Sequence, residues 1–450
     1  MRATIPAMSR PTTHGAARPI PLLALFIGAA LVFGACAVSE QSSLAPSVPV
    51  ASPTAAPSPS IAANPSVAPS TGSSTNDDAI FDAIEQQVSE IRGLTASEPV
   101  DRQSIDATEL RTMVTEMFDE ETPPEYVAAN DRLYKALGLI PADSDLRELS
   151  LDLLSGGVAG FYRNDLRKLF IVSSDGAPGA SERFYFAHEY DHALQDQNST
   201  IFPDQDGILD QGDRILARQA IYEGDASLLM SQWAAQNLDQ ADLIELLSDS
   251  ANPEAQALLD RTPAIMVETL TFPYTTGLSY ISGVFASGQW PAVNAYFDRM
   301  PESTEQIIHP EKYIAGEAPV VVTLPADLAA TLGEGWSVPL QDTFGEFQTG
   351  IWLREVGVAA ATATDAAAGW GGDRLAVING PNDTWAVVMK TVWDTEADAA
   401  EFDAAATTAM GQAGGLGQVL PGAGGTTRWV LIASDAPTAG HVADALGLAG

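Results

Sequence analysis

Two histidines four residues apart, with a glutamate directly after the first, give this chain its clearest chemistry: His188-Glu189-Tyr190-Asp191-His192. The surrounding run RFYFAHEYDHALQDQ contains neither Pro nor Gly and should be helical. On a helix, positions i and i+4 share a face, so both imidazoles can reach one metal ion. Glu189 projects beside them, where a carboxylate can take a proton from a water on that ion. The chain has five histidines, and His14 lies in the amino-terminal leader, so this short pattern holds two of the other four. The motif reads as a zinc site.

Two histidines do not complete a catalytic zinc site, which normally has three protein ligands and a water. The extended HExxHxxGxxH pattern is absent, because Gln195 and Asn198 stand at the glycine and third-histidine positions. A carboxylate is therefore expected as the third ligand. Glu223 is the first candidate: on the helix DRILARQAIYEGDASLLMSQWAA it shares a mostly apolar stripe with Leu216, Ala220, Ser227 and Met230. A carboxylate on such a stripe is costly to bury unless it is paired or metal-bound. A salt bridge to Arg214 or Arg218 is the alternative, and Asp196, Asp204 and Asp210 are rival acids. Asp204, Asp206, Asp210 and Asp213 do not match a calcium-loop spacing, and Asp213 is expected to cap the helix.

HExxH followed by a glutamate on a second helix resembles the gluzincin branch of the zincin metallopeptidases. The phrases HEYDHALQDQ and AIYEGDA are similar to those of bacterial and archaeal surface proteins with such a site. The resemblance covers about Asp77 to Gly316, and loosely the tail, and implies His188, His192 and Glu223 as zinc ligands with Glu189 as catalytic base. It also implies a mainly helical, zincin-like metallopeptidase domain. Thirty residues separate His192 from Glu223, longer than in thermolysin-like enzymes, and EGDA stands where those have a GExxD-type pattern. Asp225 is expected to orient a ligand histidine from behind, although it falls about 200° round the helix from Glu223. Hydrolysis also needs a donor for the developing oxyanion. His309, in STEQIIHPEKY, is the first candidate and Tyr313 the second, with Tyr274 and Tyr280 of FPYTTGLSY as further possibilities. His441 is assigned no role.

The elements that must position these groups are legible around them. Ile80, Phe81, Ile84, Val88 and Ile91 mark one face of a helix that starts near Asn76. More helices are expected around Ser104–Phe118, Pro124–Leu137 and Leu146–Leu154. The β-rich runs Val158–Tyr162 and Lys168–Val172 flank a polar turn and read as a hairpin directly before the HExxH helix. An exposed strand there would bind an extended peptide by edge pairing. A helical stretch from Ala241 to about Trp290 is interrupted at Pro273. From about Ala318 the texture changes to Ala, Gly and Thr with strand-like runs at Arg374–Ile378, Trp385–Val392 and Arg428–Ala433. Trp370 and Asp373 in GWGGDR are expected to shape a turn. The fold class is thus α+β: residues 76–317 as the catalytic domain and 318–450 as a small α+β region.

The chain's 450 residues, 46% of them apolar, suffice for a sizeable core, and its net charge of −37 argues against nucleic acid as a partner. Arg2, Arg10 and Arg18 precede an apolar run, Leu22–Ala35, that ends at Cys36, the lone cysteine. Fourteen apolar residues suit a signal-peptide core and fall short of the ~20 that span a bilayer. Residues 1–35 therefore read as a signal peptide and Cys36 as a lipidated first residue, resembling a bacterial lipoprotein box. The Ser-, Pro- and Ala-rich stretch 36–75 reads as a tether. The expected whole is an exported, lipid-anchored zinc peptidase acting on a peptide or protein. A zinc hydrolase of a non-peptide bond and a non-catalytic surface binding module are the alternatives.

Overall fold

A computed structural model describes residues 29–31, 75–173, 177–198 and 210–448. Its architecture is mixed α+β, with two sheets among many helices. Cys36 and most of the leader and tether lie outside the described residues, as do Asp204 and Asp206. No helix among the described residues is long and apolar enough to cross a membrane.

The chain enters with a short strand β1 (Ala29–Leu31), then α1 (Thr75–Arg92), β2 (Asp101–Ile105), α2 (Ala107–Glu121), α3 (Pro124–Leu137) and α4 (Leu146–Gly157). The expected hairpin follows as β3 (Val158–Arg163) and β4 (Lys168–Val172), and then the HExxH helix, α5 (Ala180–Asn198). The first sheet has the order β1-β3-β4-β2. Sequence reading placed Ser104 and Ile105 in a helix, but they end β2, which runs parallel to β4. The helix begins one step later because Asp106 and Glu109 form a capping box. Alternation sorts the sheet's faces: Tyr162, Leu169 and Ile171 pack with α1 and α5, while Val158, Phe161 and Phe170 pack with α2 and α4.

The long helix α6 (Gly212–Asn237) lies against α5 and carries Glu223. Next come α7 (Gln240–Ser250), α8 (Pro253–Arg261) and α9 (Ala264–Phe272). At the expected break, Pro273, the backbone forms a single π turn (Pro273–Gly277) that leads into α10 (Leu278–Asp298). Two short helices, α11 (Thr304–Ile308) and α12 (Pro310–Ala315), complete this part.

The remainder comprises α13 (Leu328–Leu332), β5 (Ser337–Asp342), α14 (Gly345–Glu355), α15 (Ala360–Ala367), β6 (Trp370–Asn379), β7 (Trp385–Trp393), α16 (Glu396–Ala409), β8 (Leu416–Pro421), β9 (Thr427–Ala433) and α17 (Ala436–Ala445). Its antiparallel sheet has the order β5-β6-β7-β9-β8. Both faces are covered. Leu375, Val377, Val387 and Met389 pack under α14–α16, and Ala376, Ile378, Val388 and Leu431 pack under α13 and α17. The first of these cores continues into Tyr126, Leu133 and Leu137 of α3. Trp370 and Asp373 do not form the expected turn; they open strand β6. Asp373 accepts hydrogen bonds from the backbone of Phe344 and Gly345 and from the Trp370 indole, which ties the start of α14 to the sheet.

Candidate metal centre

Helix α5 is buried at every residue from Tyr185 to Gln195, packed against α1, α6 and the first sheet. A helix enclosed on all sides shows no amphipathic stripe, and its polar side chains must find partners inside the protein. Its first turn is closed by Glu182, which accepts from the Gly179 amide, and by Glu245 of α7, which accepts from the Ala180 amide. The next two turns carry the HExxH residues.

Three side chains meet there. His188 Nε2 lies 3.0 Å from Glu223 Oε2, His192 Nε2 lies 3.3 Å from the same oxygen, and the two imidazole nitrogens are 3.1 Å apart. All three residues are buried. This triangle fits a small ion. Ligand bonds of 2.0–2.1 Å in a tetrahedron put neighbouring ligand atoms about 3.3 Å apart, and nitrogen–nitrogen–carboxylate is a donor set that zinc accepts. A cation between them would take a lone pair from each imidazole nitrogen, which fits their close approach. Of the two arginines proposed as salt-bridge partners for Glu223, Arg214 instead pairs with Glu302, and the carboxylate that acts on Arg218 is also Glu302.

The electrostatics are those of a tight cluster. Burial opposes charge on Glu223, but the imidazoles of His192 and His188 outweigh it and hold the carboxyl down at about 2. Burial likewise opposes charge on His192, yet Glu223 and Glu189 push its imidazole up to about 10. His188 moves the other way, because its burial dominates. Glu189 is buried beside the ligands, and β3 fits closely over it: a methyl group on Gly160 would stand 3.5 Å from Glu189 Cγ.

Gln195 is the group that sequence reading missed. Its Nε2 faces three acceptors: Tyr222 O at 3.1 Å, Asp225 Oδ2 at 3.1 Å and Asp191 Oδ2 at 3.3 Å. Its Oε1 therefore turns to His192 Nδ1, 2.9 Å away, and accepts that proton. The tautomer leaves His192 Nε2 free to ligate, which is the usual service of an outer partner to a ligand histidine. Asp225 thus reaches His192 through Gln195 and not directly, as had been expected. Gln195 had stood out only as a departure from another motif; three residues after His192, it sits on the same helical face, and that spacing was the available signal.

The expected oxyanion donors lie elsewhere. His309 Nε2 is 2.9 Å from Glu346 Oε1, and the Tyr313 hydroxyl donates to Arg299 O. Neither is brought to the cluster. Tyr280 hydrogen-bonds Tyr296. Tyr274 does arrive: its hydroxyl bonds Glu223 and its ring lies 6.0 Å from that of His188. Burial, then the carboxylates of Glu223 and Glu189, push its phenol far above the usual range, so it remains a proton donor. The π turn delivers it, as such turns often do at functional sites. Backbone meets backbone here, since a methyl group on Gly224 would stand 2.5 Å from Gly277 O.

Other expectations resolve outside the site. Asp213 does not cap α6; Gln211 stands at the cap position, and the buried Asp213 carboxylate accepts from the Thr304 amide and hydroxyl. Asp210 pairs with Arg374, Asp196 accepts from Tyr162, and His441 donates to Leu332 O. A second group of acids, Glu305, Glu317 and Asp394, already surrounds the Lys312 ammonium at 2.6, 3.0 and 2.7 Å.

Comparison with known proteins adds two findings. Residues 333–444 match a family model described as a domain of unknown function, DUF8575, a stretch that contains none of the metal-centre residues. A crystal structure from Chloroflexus aurantiacus, provisionally described as that of a hydrolase with a novel fold, is similar at 17% identity and a TM-score of 0.35. The similarity covers 53% of this chain and 88% of that one. No curated protein matches the chain's sequence.

Proposed function

We propose that this protein is a zinc-dependent peptidase of gluzincin type, exported and held at the outer face of a membrane through a lipid on Cys36. One observation carries the reading: His188, His192 and Glu223 converge within a spacing that suits a zinc ion, with Glu189 adjacent to the first ligand on the same helix. A zinc ion held there supplies a Lewis acid and makes a water acidic enough to deprotonate near neutral pH. Glu189 takes the proton from the attacking water and returns it to the leaving amine. Tyr274 donates to the oxygen that gains charge, the role first expected of His309. Support for a peptide substrate comes from the β3 edge. Ala29–Leu31 pairs antiparallel with it, Ala30 opposite Gly160, and processing before Cys36 would remove that strand and leave the edge open to an extended segment beside Glu189.

Residues 76–450 should bind about one zinc per chain and cleave an unstructured protein such as casein. Glu189→Gln should keep the zinc and lose at least about 10²-fold in rate, the lower range for a general base. A Glu189→Gln protein with unchanged cleavage would overturn the mechanism. The address is tested separately: Cys36→Ser should abolish labelling by a fatty acid, and retention of that variant at the membrane would assign anchoring to the apolar run itself.

A further inference from the structure

A buried cation behind the candidate metal centre comes from α1, which packs on α5 and α6 but is distant from them in sequence. Arg92, in the last turn of α1, is fully buried although it lies 133 residues from its main partner. Its Nη2 donates to Asp225 Oδ2 at 2.9 Å, and its Nε stands 3.6 Å from Asp191 Oδ1. The guanidinium also lies 4.5 Å over the ring of Trp290 from α10, so packing and charge fix it together. Asp225 accepts in turn from Gln195, and Gln195 accepts from His192.

We infer that Arg92 is a positioning residue for the metal centre, acting on His192 through Asp225 and Gln195. The inference rests on the metal-site reading above. Its physical content is a tautomer lock. Arg92 keeps the Asp225 carboxylate aimed at Gln195 Nε2, which forces Gln195 Oε1 toward His192 and the imidazole proton onto Nδ1. Each bond in such a buried chain polarises the next. Without Arg92 both Asp225 and Asp191 lose their cation, so that of the three acceptors facing Gln195 Nε2 only Tyr222 O is unaffected, and the amide can turn over and present Nε2 to His192. The imidazole proton then sits on the nitrogen that must ligate. A fork-shaped guanidinium suits this task because it reaches both carboxylates at once, which a lysine ammonium does not do in the same geometry.

The test reads metal binding, not turnover. Zinc affinity is measured by chelator competition, ligand geometry by the visible absorption of the cobalt-loaded protein, and folding by circular dichroism. Arg92→Met is made together with Asp225→Asn so that the carboxylate Arg92 hydrogen-bonds is not left uncompensated, and Arg92→Lys is made alone in case the double variant, which still buries Asp191, fails to fold. The double variant and Gln195→Ala should each lose about 10–100-fold in zinc affinity and shift the cobalt spectrum, the range found for outer partners of ligand histidines. Adding Gln195→Ala to the double variant should cost nothing more, because residues in one chain of contacts are not additive. Arg92→Lys should fall between wild type and the double variant. Folded variants without Arg92 that keep wild-type affinity and spectrum would overturn the inference while leaving the metal centre intact. A wild-type protein that binds neither zinc nor cobalt would overturn the metal reading itself.

Discussion

Helix α5 and strand β7 are equally well buried and are made of opposite materials. Between Tyr185 and Gln195 the helix encloses His188, Glu189, Asp191, His192 and Gln195, and α6 adds Glu223 and Asp225 opposite them. Strand β7 buries Ala386, Val387, Val388 and Met389 at its centre, with apolar side chains on both faces. The sheet core stabilises in the ordinary way, by removing apolar surface from water. The helix pair shares that gain through Phe186, Leu194, Leu229 and Trp233, but it must also offset the desolvation of its charged side chains with partners. The contrast separates a part held by apolar packing alone from a part that also encloses a cluster of charged and metal-ligating side chains.

The contrast breaks most directly at Glu223. Glu223→Ala should lower zinc affinity by orders of magnitude, since a three-ligand site is reduced to two. The protein should remain folded, because alanine favours helix and suits the stripe it joins. Stoichiometric zinc in a folded Glu223→Ala protein would remove the third ligand from this helix. Tyr274→Phe should come next, with kcat down by about 10²–10³, the cost of one oxyanion donor, and zinc content unchanged. In the same assay His309→Ala and Tyr313→Phe should leave kcat near wild type, and an equal loss in either would return the donor to α11 or α12.

Trp352 is the corresponding probe of the dry core. It is fully buried, lies tilted against Phe402 and donates to Leu137 O on α3. Trp352→Ala should cost about 3–5 kcal/mol of stability and leave zinc affinity unchanged in the folded fraction. Coupled loss of zinc would show that the apolar part sets the site's geometry. The last effect is a pH slope and not a fixed loss, and it is expected at Asp213, whose carboxyl burial pushes from 3.8 up to about 8. Between about pH 4 and pH 8 the unfolded chain releases a proton that the folded one keeps, so this group's contribution falls as pH rises. Asp213→Asn, which retains an acceptor for Thr304, removes that slope. Its advantage in thermal midpoint should therefore grow from about pH 5 to about pH 8, and a constant gap would exclude the protonated Asp213.

What was legible in the sequence is what depends on near neighbours. The hairpin before α5, the helix Pro124–Leu137 and the HExxH face all follow from local periodicity and turn residues. Glu223 was found because a lone acid on an apolar stripe is a conflict that demands a partner. The misses share a different cause. β2 is a strand because β4 lies beside it, Asp213 is buried because Thr304 arrives from 91 residues away, and Tyr274, named only as a further possibility, reaches Glu223 where two backbones meet. His309 was ranked first because histidine is rare and chemically versatile, and rarity carries no address.

The glycine contact between α6 and the π turn has a consequence for how this site could change. Most active sites can be widened or narrowed by exchanging side chains, since side chains separate the elements that carry the reacting groups. Here Gly224 and Gly277 bring two main chains to touching distance, so nothing remains between them to trim. The gap between the Tyr274 hydroxyl and the ligand carboxylate is a dimension of the scaffold itself. Point substitutions can enlarge it but cannot reduce it. Adaptation to a new substrate has to come from the opposite wall, along β3 and the segments that line its edge.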